Sequence, residues 1–146
     1  MAHLIRQRRF LPYFVTQFFG AFNDNLFKNG MTTLLVFQLL NNAQDAEQSA
    51  LMAGAIFSLP FLLFSANAGQ IADRFPKTQC IKTLKLIEIV IALMGLVGLV
   101  MHSMPLLYVT LFILATHSTY YGPIKYAILP EYLASQELIQ GNALVE

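Results

Sequence analysis

The stretch from Phe10 to Leu40 most constrains the fold, because it is apolar at both ends and polar in the middle. The polar middle contains Asn23, Asp24, Asn25, Lys28 and Asn29. A helix crosses a bilayer with about 20 predominantly apolar residues. An Asp or Lys at its centre costs about 2.5–3.5 kcal/mol, whereas each Leu, Phe or Val returns only about 0.3–0.6 kcal/mol. We therefore expect these charges to face a protein interior or a water-filled cavity, where intramembrane ionisable residues serve function.

The composition indicates a membrane protein. The 146 residues are 56% hydrophobic and only 12% charged, about half of the roughly 25% charged residues in an ordinary soluble domain. A net charge of +1 without a basic stripe argues against nucleic-acid binding. The single cysteine, Cys80, excludes an intrachain disulfide framework, and the three histidines lack metal-ligand spacing. We expect no metal and no cofactor.

The apolar stretches predict an all-α, polytopic membrane helix bundle. We expect four spans at about 10–40, 50–72, 81–101 and 105–129, and the start of a fifth after residue 139. Basic residues occur before the first span (Arg6, Arg8, Arg9) and around the second connection (Arg74, Lys77, Lys82, Lys85). The first connection, 41–49, and the third contain no Lys or Arg. Since cytoplasmic loops are enriched in Lys and Arg, the amino terminus is predicted to be cytoplasmic.

Polar or small residues recur on one face of each predicted span. In order, the faces are Gln17, Ala21, Asp24 and Lys28; Gly54, Ser58, Ser65 and Gly69; Glu88, Ala92, Gly95 and Leu99; and Thr110, His117, Tyr121 and Lys125. Small residues allow a neighbouring helix to approach closely. We expect the four faces to meet around a polar interior, with Gln17, Glu88, His117 and Tyr121 as candidate cavity-lining residues.

The ionisable residues in the spans each have a structural and a functional interpretation. Asp24 and Lys28 have the spacing of a helical ion pair, but the neighbouring asparagines favour a substrate or proton site. The Lys125 side chain either extends to the cytoplasmic lipid headgroups or has a functional role in the polar cavity. Glu88 follows Lys85 by three residues, which favours a structural pair. His117 is typical of a hydrogen-bonded interior histidine.

The connection from Gly69 to Lys77 is charged and short. We expect Gly69 to pack closely at a helix end, and Asp73 and Arg74 to latch one conformation through ion pairs and helix dipoles; the alternative is an ordinary cytoplasmic loop. The pattern Gly-x-x-x-Asp-Arg resembles the signature loop of the major facilitator superfamily. It departs from that loop at Pro76, where glycine is common, and at Thr78, which replaces a second basic residue.

Three segments together resemble the bacterial lysophospholipid transporter family. They are residues 21–25 (AFNDN), 122–131 (GPIKYAILPE) and 141–146 (GNALVE). The resemblance implies a twelve-span carrier that moves lysophospholipids such as lysophosphatidylethanolamine across the bacterial inner membrane for reacylation. This chain would then be an incomplete N-terminal half that needs the remaining transporter helices. In having Lys28, the chain resembles the branch of this family in which the transporter is fused to an acyltransferase. That resemblance implies an acyltransferase as a partner or as a downstream domain.

The resemblance implies roles for several of these residues. Asp24 and Asn25, with Lys28, would contact the headgroup, and Lys125 would contact its phosphate. The two halves of the complete carrier would rock against each other during transport. Gating of this motion would involve Gly69, Asp73, Arg74 and Lys77 in the second connection. The chain is expected to be a transporter and not an enzyme. Two alternatives stay open, namely a major facilitator exporter of another small molecule or drug, and a complete four-span membrane scaffold or oligomer.

Overall fold

The computed structural model describes residues 2–38 and 43–145, and these are folded into helices without strands. The helices are α1 (Ala2–Ile5), α2 (Leu11–Gln38), α3 (Ala43–Arg74), α4 (Lys77–Val100), α5 (Met104–Ala127), α6 (Leu129–Tyr132) and α7 (Leu138–Val145). The prediction of an all-α helix bundle is confirmed.

Four of the helices are long enough to cross a bilayer. Within the described ranges, α4 and the part of α3 from Glu47 also have the apolar composition of a membrane span. The other two, α2 and α5, reach 28 and 24 residues, but polar side chains interrupt them. Four spans therefore stay a prediction, while the apolar helices support a membrane protein.

Helix boundaries differ from the predicted spans at two connections. The helix α3 already begins at Ala43, inside the segment expected to be a loop, and residues 39–42 lie outside the described ranges. The helix α4 begins at Lys77 rather than near residue 81. Pro76 explains this start, because proline disfavours helix in the residue before it, while its own φ of −60° suits a helix beginning. The charged connection is thus reduced to Phe75 and Pro76.

The helix α5 occupies the centre of the bundle. It packs along α3 and against α4, and its buried residues are Leu107, Thr110, Leu111, Leu114, Ala115, His117, Thr119 and Ile124. The helix α4 has the same length but buries only Ile91, Gly95 and Gly98. Large apolar side chains on α2, α3 and α4 point outward instead; Leu62, for example, is 80% exposed. Such faces suit lipid contact.

The small-residue face predicted for α3 does not pack closely against another helix. Gly54, Ser58 and Ser65 are exposed, and a Cβ added at Gly54 or Gly69 would meet no other described atom within 4 Å. The prediction that Gly69 packs closely is therefore wrong. The buried small residues of α3 are Ala53, Ala68 and Ala72. Alanine also permits close approach, and the hydroxyl of Ser58 is satisfied on its own helix by the Gly54 carbonyl at 2.9 Å.

Two apolar clusters stabilise opposite parts of the bundle. One joins Met31, Ala53, Ile91, Leu107, Leu111 and Leu114. The other joins Leu4, Phe10, Tyr13, Ile128, Leu129, Leu133 and Val145, and Ile81 packs against it. The second cluster gathers α1, α6, α7 and the beginnings of α2 and α4 at one end of the bundle, which we call the capped end. Arg8, Arg9 and Lys82 line one cleft at this end. The predicted orientation likewise requires the amino-terminal segment and the second connection to lie on the same side of the membrane.

Candidate functional site

Polar side chains from α2, α4 and α5 meet inside the bundle. We call this group the polar cluster; its members are Gln17 and Asp24 from α2, Lys85 and Glu88 from α4, and His117 and Tyr121 from α5. The cluster includes all four of the candidate cavity-lining residues. It forms because the polar faces of these three helices turn toward one another, while their apolar faces point outward.

A hydrogen-bonded column joins α2 to α5. Gln17 is only 6% exposed, and its Nε2 donates a 2.7 Å hydrogen bond to the Tyr121 hydroxyl. The Tyr121 ring stacks on His117, with 5.8 Å between ring centroids and 13° between ring planes. His117 Nε2 lies 3.0 Å from the Leu84 carbonyl oxygen. Because a carbonyl only accepts, Nε2 is the donor, and His117 is a hydrogen-bonded interior histidine.

Lys85 occupies the centre of the charged part of the cluster. Its Nζ lies 2.6 Å from Glu88 Oε2, with 24% and 12% of the two side chains exposed. The same Nζ lies over the Tyr121 ring, 4.8 Å from its centroid, a favourable cation–π arrangement. It also approaches the backbone of Gly20, where a Cβ would collide with the ammonium group. Glycine at position 20 therefore makes room for this lysine.

Asp24 adds a second carboxylate beside the Lys85–Glu88 pair. Its Oδ1 is buried and has no hydrogen-bond partner among the residues that the structure describes. The charged groups that interact with it electrostatically are Glu88 and Lys85. With all three ionised, two carboxylates share one ammonium, and the excess negative charge is shielded from bulk water. Such an arrangement attracts a cation, either a proton or a positively charged substrate group.

The structural alternative for Asp24 and Lys28, a helical ion pair, is not seen among the described residues. The ion pairs among described residues are Arg9–Glu137 and Lys85–Glu88. Lys28 Nζ instead lies 4.2 Å from the centroid of the Phe57 ring on α3. Asn25 is exposed and donates to the Ala21 carbonyl at 2.8 Å. The polar residues in the middle of α2 therefore face two different helices. Asp24 lies toward α4, and Lys28 lies toward α3.

Lys125 lies at a different depth from Asp24. The Tyr13 hydroxyl donates to the Lys125 carbonyl oxygen, which places Lys125 level with Tyr13 near the capped end. Tyr13 precedes Asp24 by about three helical turns, or roughly 16 Å along α2. Lys125 Nζ lies 4.8 Å from the ring centroid of Tyr126. The fold thus separates the two charges that the sequence assigned to one headgroup.

The predicted gating residues lie around the α3–α4 junction. Asp73 and Arg74 are exposed at the end of α3, and Lys77 is the first residue of α4. Neither Asp73 nor Arg74 takes part in the ion pairs of the described chain. In this conformation the junction is consequently held by the helices themselves and not by an ion-pair latch.

Lys85 was missed as a site residue by the sequence reasoning. It was counted as a basic flank of the second connection and as a structural partner of Glu88. The signal that could have identified it is its position about two helical turns inside α4, on a helix whose later turns are apolar. A charge at that depth needs a partner from another helix as well as from its own.

A second polar group, at the capped end, was also missed. We call it the terminal cluster; it consists of Gln7, Arg9 and Glu137. Arg9 Nη2 lies 2.6 Å from Glu137 Oε2, and Gln7 Nε2 donates to Glu137 Oε1 at 3.0 Å. The Ala134 backbone N–H also donates to Oε2 at 3.0 Å. The hydrogen bond from Gln7, followed by the one from Ala134, holds the pKa of Glu137 below its usual range.

Long helices with apolar outer faces and an interior cluster of ionisable residues define an all-α membrane protein. Comparison with known proteins specifies the kind of membrane protein that the chain resembles. It is 33% identical over 132 residues, 90% of its length, to the lysophospholipid transporter LplT of Pectobacterium carotovorum, and equally so to that of Photorhabdus laumondii. It is 29% identical over 136 residues, 93% of its length, to the lysophospholipid transporter LplT of Salmonella newport.

These relatives confirm the resemblance to lysophospholipid transporters over most of the chain. The chain spans only about 30% of the length of each of these curated relatives. No family model matches the chain. No solved structure matches it.

Proposed function

We propose that this chain contributes to a transporter that moves lysophospholipids, such as lysophosphatidylethanolamine, across the bacterial inner membrane. Residues 1–146 would form the first part of an N-terminal major facilitator domain, with four spans and the start of a fifth. The remaining transporter helices would complete the pathway. The names and extent of the relatives support the substrate, and the basic residues at the capped end support a cytoplasmic amino terminus.

The observation that carries the proposal is the buried, unpartnered Oδ1 of Asp24 beside the Lys85–Glu88 pair. An excess negative charge at mid-depth is costly without a cation, and the ammonium group of an ethanolamine headgroup is one. Asp24, with Asn25 on the next position of α2, would contact that ammonium. Lys28 would extend the polar surface toward α3, where its Nζ lies over Phe57.

Lys125 would contact the phosphate at a second position along the same pathway. It lies roughly 16 Å nearer the capped end than Asp24, so one small headgroup would meet the two charges in succession. The acyl chain would follow the exposed apolar faces of α2 and α4. Rocking against the remaining helices would open the pathway alternately, and the junction residues Gly69, Asp73, Arg74 and Lys77 would adjust as it does so.

The test is uptake of radiolabelled lysophosphatidylethanolamine by spheroplasts that express the complete transporter. Asp24→Asn keeps the shape of the side chain but removes its charge, and we expect uptake to fall about tenfold or more. Glu131→Gln is the matched control, since Glu131 is exposed at the capped end. Lys125→Gln should also reduce uptake, and Lys125→Arg should restore part of it. Wild-type uptake by Asp24→Asn, at equal expression, would refute the assigned role.

We further propose that an acyltransferase, on the same polypeptide or as a separate chain, consumes the transported lysophospholipid. The support is the resemblance of Lys28 and its surroundings to the fused branch of the family. Spheroplasts supplied with labelled lysophosphatidylethanolamine should form labelled diacyl lipid only when both proteins are active. Equal formation of diacyl lipid without the transporter would contradict this coupling.

A further inference from the structure

A cleft of about 470 Å³ opens at the capped end, away from the polar cluster. Its walls come from the beginnings of α2 and α4, from α6 and from the residues that precede α2. The lining includes the cations Arg8, Arg9 and Lys82, and the apolar residues Pro12, Ile81 and Ile128. Thr78 and Tyr132 add hydroxyl groups. The cleft therefore combines positive charge with an apolar wall.

The charge of the cleft is only partly neutralised. Arg9 is paired with Glu137 at 2.6 Å, and its Nε donates to Gln7 at 2.6 Å. Arg8 and Lys82 take no part in the ion pairs of the described chain. No carboxylate lines the cleft among the described residues. Two uncompensated cations thus come together from segments that are more than 70 residues apart in sequence.

The shape of the cleft is held by packing that does not depend on a ligand. The Tyr13 and Tyr132 rings stack with 5.8 Å between centroids and 23° between planes. Tyr13 is also fixed by its hydrogen bond to the Lys125 carbonyl. Ile128 is buried in the apolar cluster of the capped end. Arg8 and Lys82 therefore project from a preformed wall, so binding a shared anion has to order their own side chains but not the wall behind them.

We propose that this cleft binds the phosphate group of an anionic phospholipid, such as phosphatidylglycerol, from the leaflet at the capped end. Basic pockets between membrane helices recognise anionic headgroups in this way. Arg8 and Lys82 contact the phosphate, while Pro12, Ile81 and Ile128 contact the first carbons of the lipid. Free inorganic phosphate presents the same chemical group as the phospholipid headgroup, but the apolar wall of the cleft favours the phospholipid. This proposal does not rest on the proposed function.

The test measures thermal stability of the purified full-length protein in neutral detergent while dioleoylphosphatidylglycerol is titrated. We expect saturable stabilisation by this lipid and little by dioleoylphosphatidylcholine, whose choline compensates the phosphate. Arg8→Gln and Lys82→Gln should each raise the half-saturating lipid concentration about fivefold. Lys82→Arg should restore affinity. Arg6→Gln is the matched control, because it removes the same charge from the same segment without lining the cleft.

Each further outcome decides between the lipid site and its alternatives. Equal weakening by Arg6→Gln, or equal stabilisation by the two lipids, would overturn the proposal in favour of general surface charge. Competition by millimolar inorganic phosphate would support the phosphate site and assign it to the free anion as well. Arg8 and Lys82 are exposed, so their variants should elute as wild type in size-exclusion chromatography. A loss of lipid stabilisation in variants that elute normally is the supporting result.

Discussion

The polar cluster and the terminal cluster each contain an ion pair with the same 2.6 Å separation, but the two pairs lie in different surroundings. Lys85 and Glu88 are 24% and 12% exposed, whereas Arg9 and Glu137 are 49% and 23% exposed. Two charges 4 Å apart attract by about 1 kcal/mol in water and by about 4 kcal/mol at an effective dielectric constant of 20. An identical distance therefore has different consequences in the two regions.

The partners of the two pairs differ as well. Glu137 is satisfied three ways, by Arg9, Gln7 and the Ala134 backbone. In the polar cluster, Lys85 is paired with Glu88, and Asp24 Oδ1 is left without a hydrogen-bond partner among the described residues. The terminal cluster is a complete structural clamp between the amino-terminal segment and the residues before α7. The polar cluster is incomplete, which is the property expected of a site that receives a cation.

The largest effect is expected from Lys85→Met. It leaves two carboxylates without a cation in a partly buried site, and about 3–5 kcal/mol, the cost of breaking a fully buried pair, is the upper bound of the expected loss. We expect a large fall in the thermal stability of the purified protein. The matched control is Lys82→Met, one turn earlier on α4 and exposed. Lys85→Met/Glu88→Gln removes one charge of each sign and should regain part of the stability. Equal stability of Lys85→Met and Lys82→Met would contradict the distinction between the two regions.

A smaller effect is expected from Tyr121→Phe, which tests the hydrogen bond between Gln17 and Tyr121 in the polar cluster. The substitution leaves the Gln17 amide buried without its 2.7 Å partner, at a cost of about 1–3 kcal/mol. Gln17→Leu/Tyr121→Phe should cost less than the sum of the single variants, because neither polar group is then left unpaired. Tyr120→Phe is the control, since its hydroxyl makes a longer, exposed contact with Asn67 at 3.2 Å. Thermal unfolding of the four variants in one detergent provides the comparison, and strict additivity would argue against a coupled pair.

The smallest effect is expected from Glu137→Gln, which tests the terminal cluster through pH. Because the pKa of Glu137 is lowered in the folded protein, its contribution to stability is fully present above about pH 4.3, the ordinary glutamate value. That contribution is lost as the pH falls through the lower, folded value. The stability difference between wild type and Glu137→Gln should therefore shrink on acidification. Glu131→Gln should show no such trend, and a difference that grows at low pH would refute the assignment.

Much of the bundle could be predicted from the pattern of apolar residues. The helices containing residues 11–38, 50–72, 81–100 and 105–127 follow from that pattern, because a run of about 20 predominantly apolar residues is long enough to cross a bilayer as a helix. The helical extension before residue 50 could not be predicted in the same way. Its polar residues Gln44, Glu47 and Gln48 fit either a loop or a helix, and only the connection to the rest of α3 distinguishes the two.

Only part of the candidate site could be predicted from the sequence, for a related reason. Gln17, Glu88, His117 and Tyr121 were grouped correctly, since polar side chains in apolar helices seek one another. Spacing along one helix left an Asp24–Lys28 ion pair open as an alternative, because spacing ignores what neighbouring helices offer. Phe57 on α3 provides a closer partner for Lys28. The small residues of α3 were misjudged likewise, since alanine allows helix contact as glycine and serine do.

The sequence by itself determined that this chain forms apolar helices with a charged interior, and it identified most of the residues that supply that interior. Hydrophobicity and helical periodicity are local properties, so they can be read without knowing the neighbours. Only the tertiary structure decided that Asp24 lies near the Lys85–Glu88 pair, that Lys125 lies about three turns away from Asp24, and that Arg8 and Lys82 share a cleft. Those relations depend on the register and order of packed helices, which arise from contacts between residues far apart in the chain.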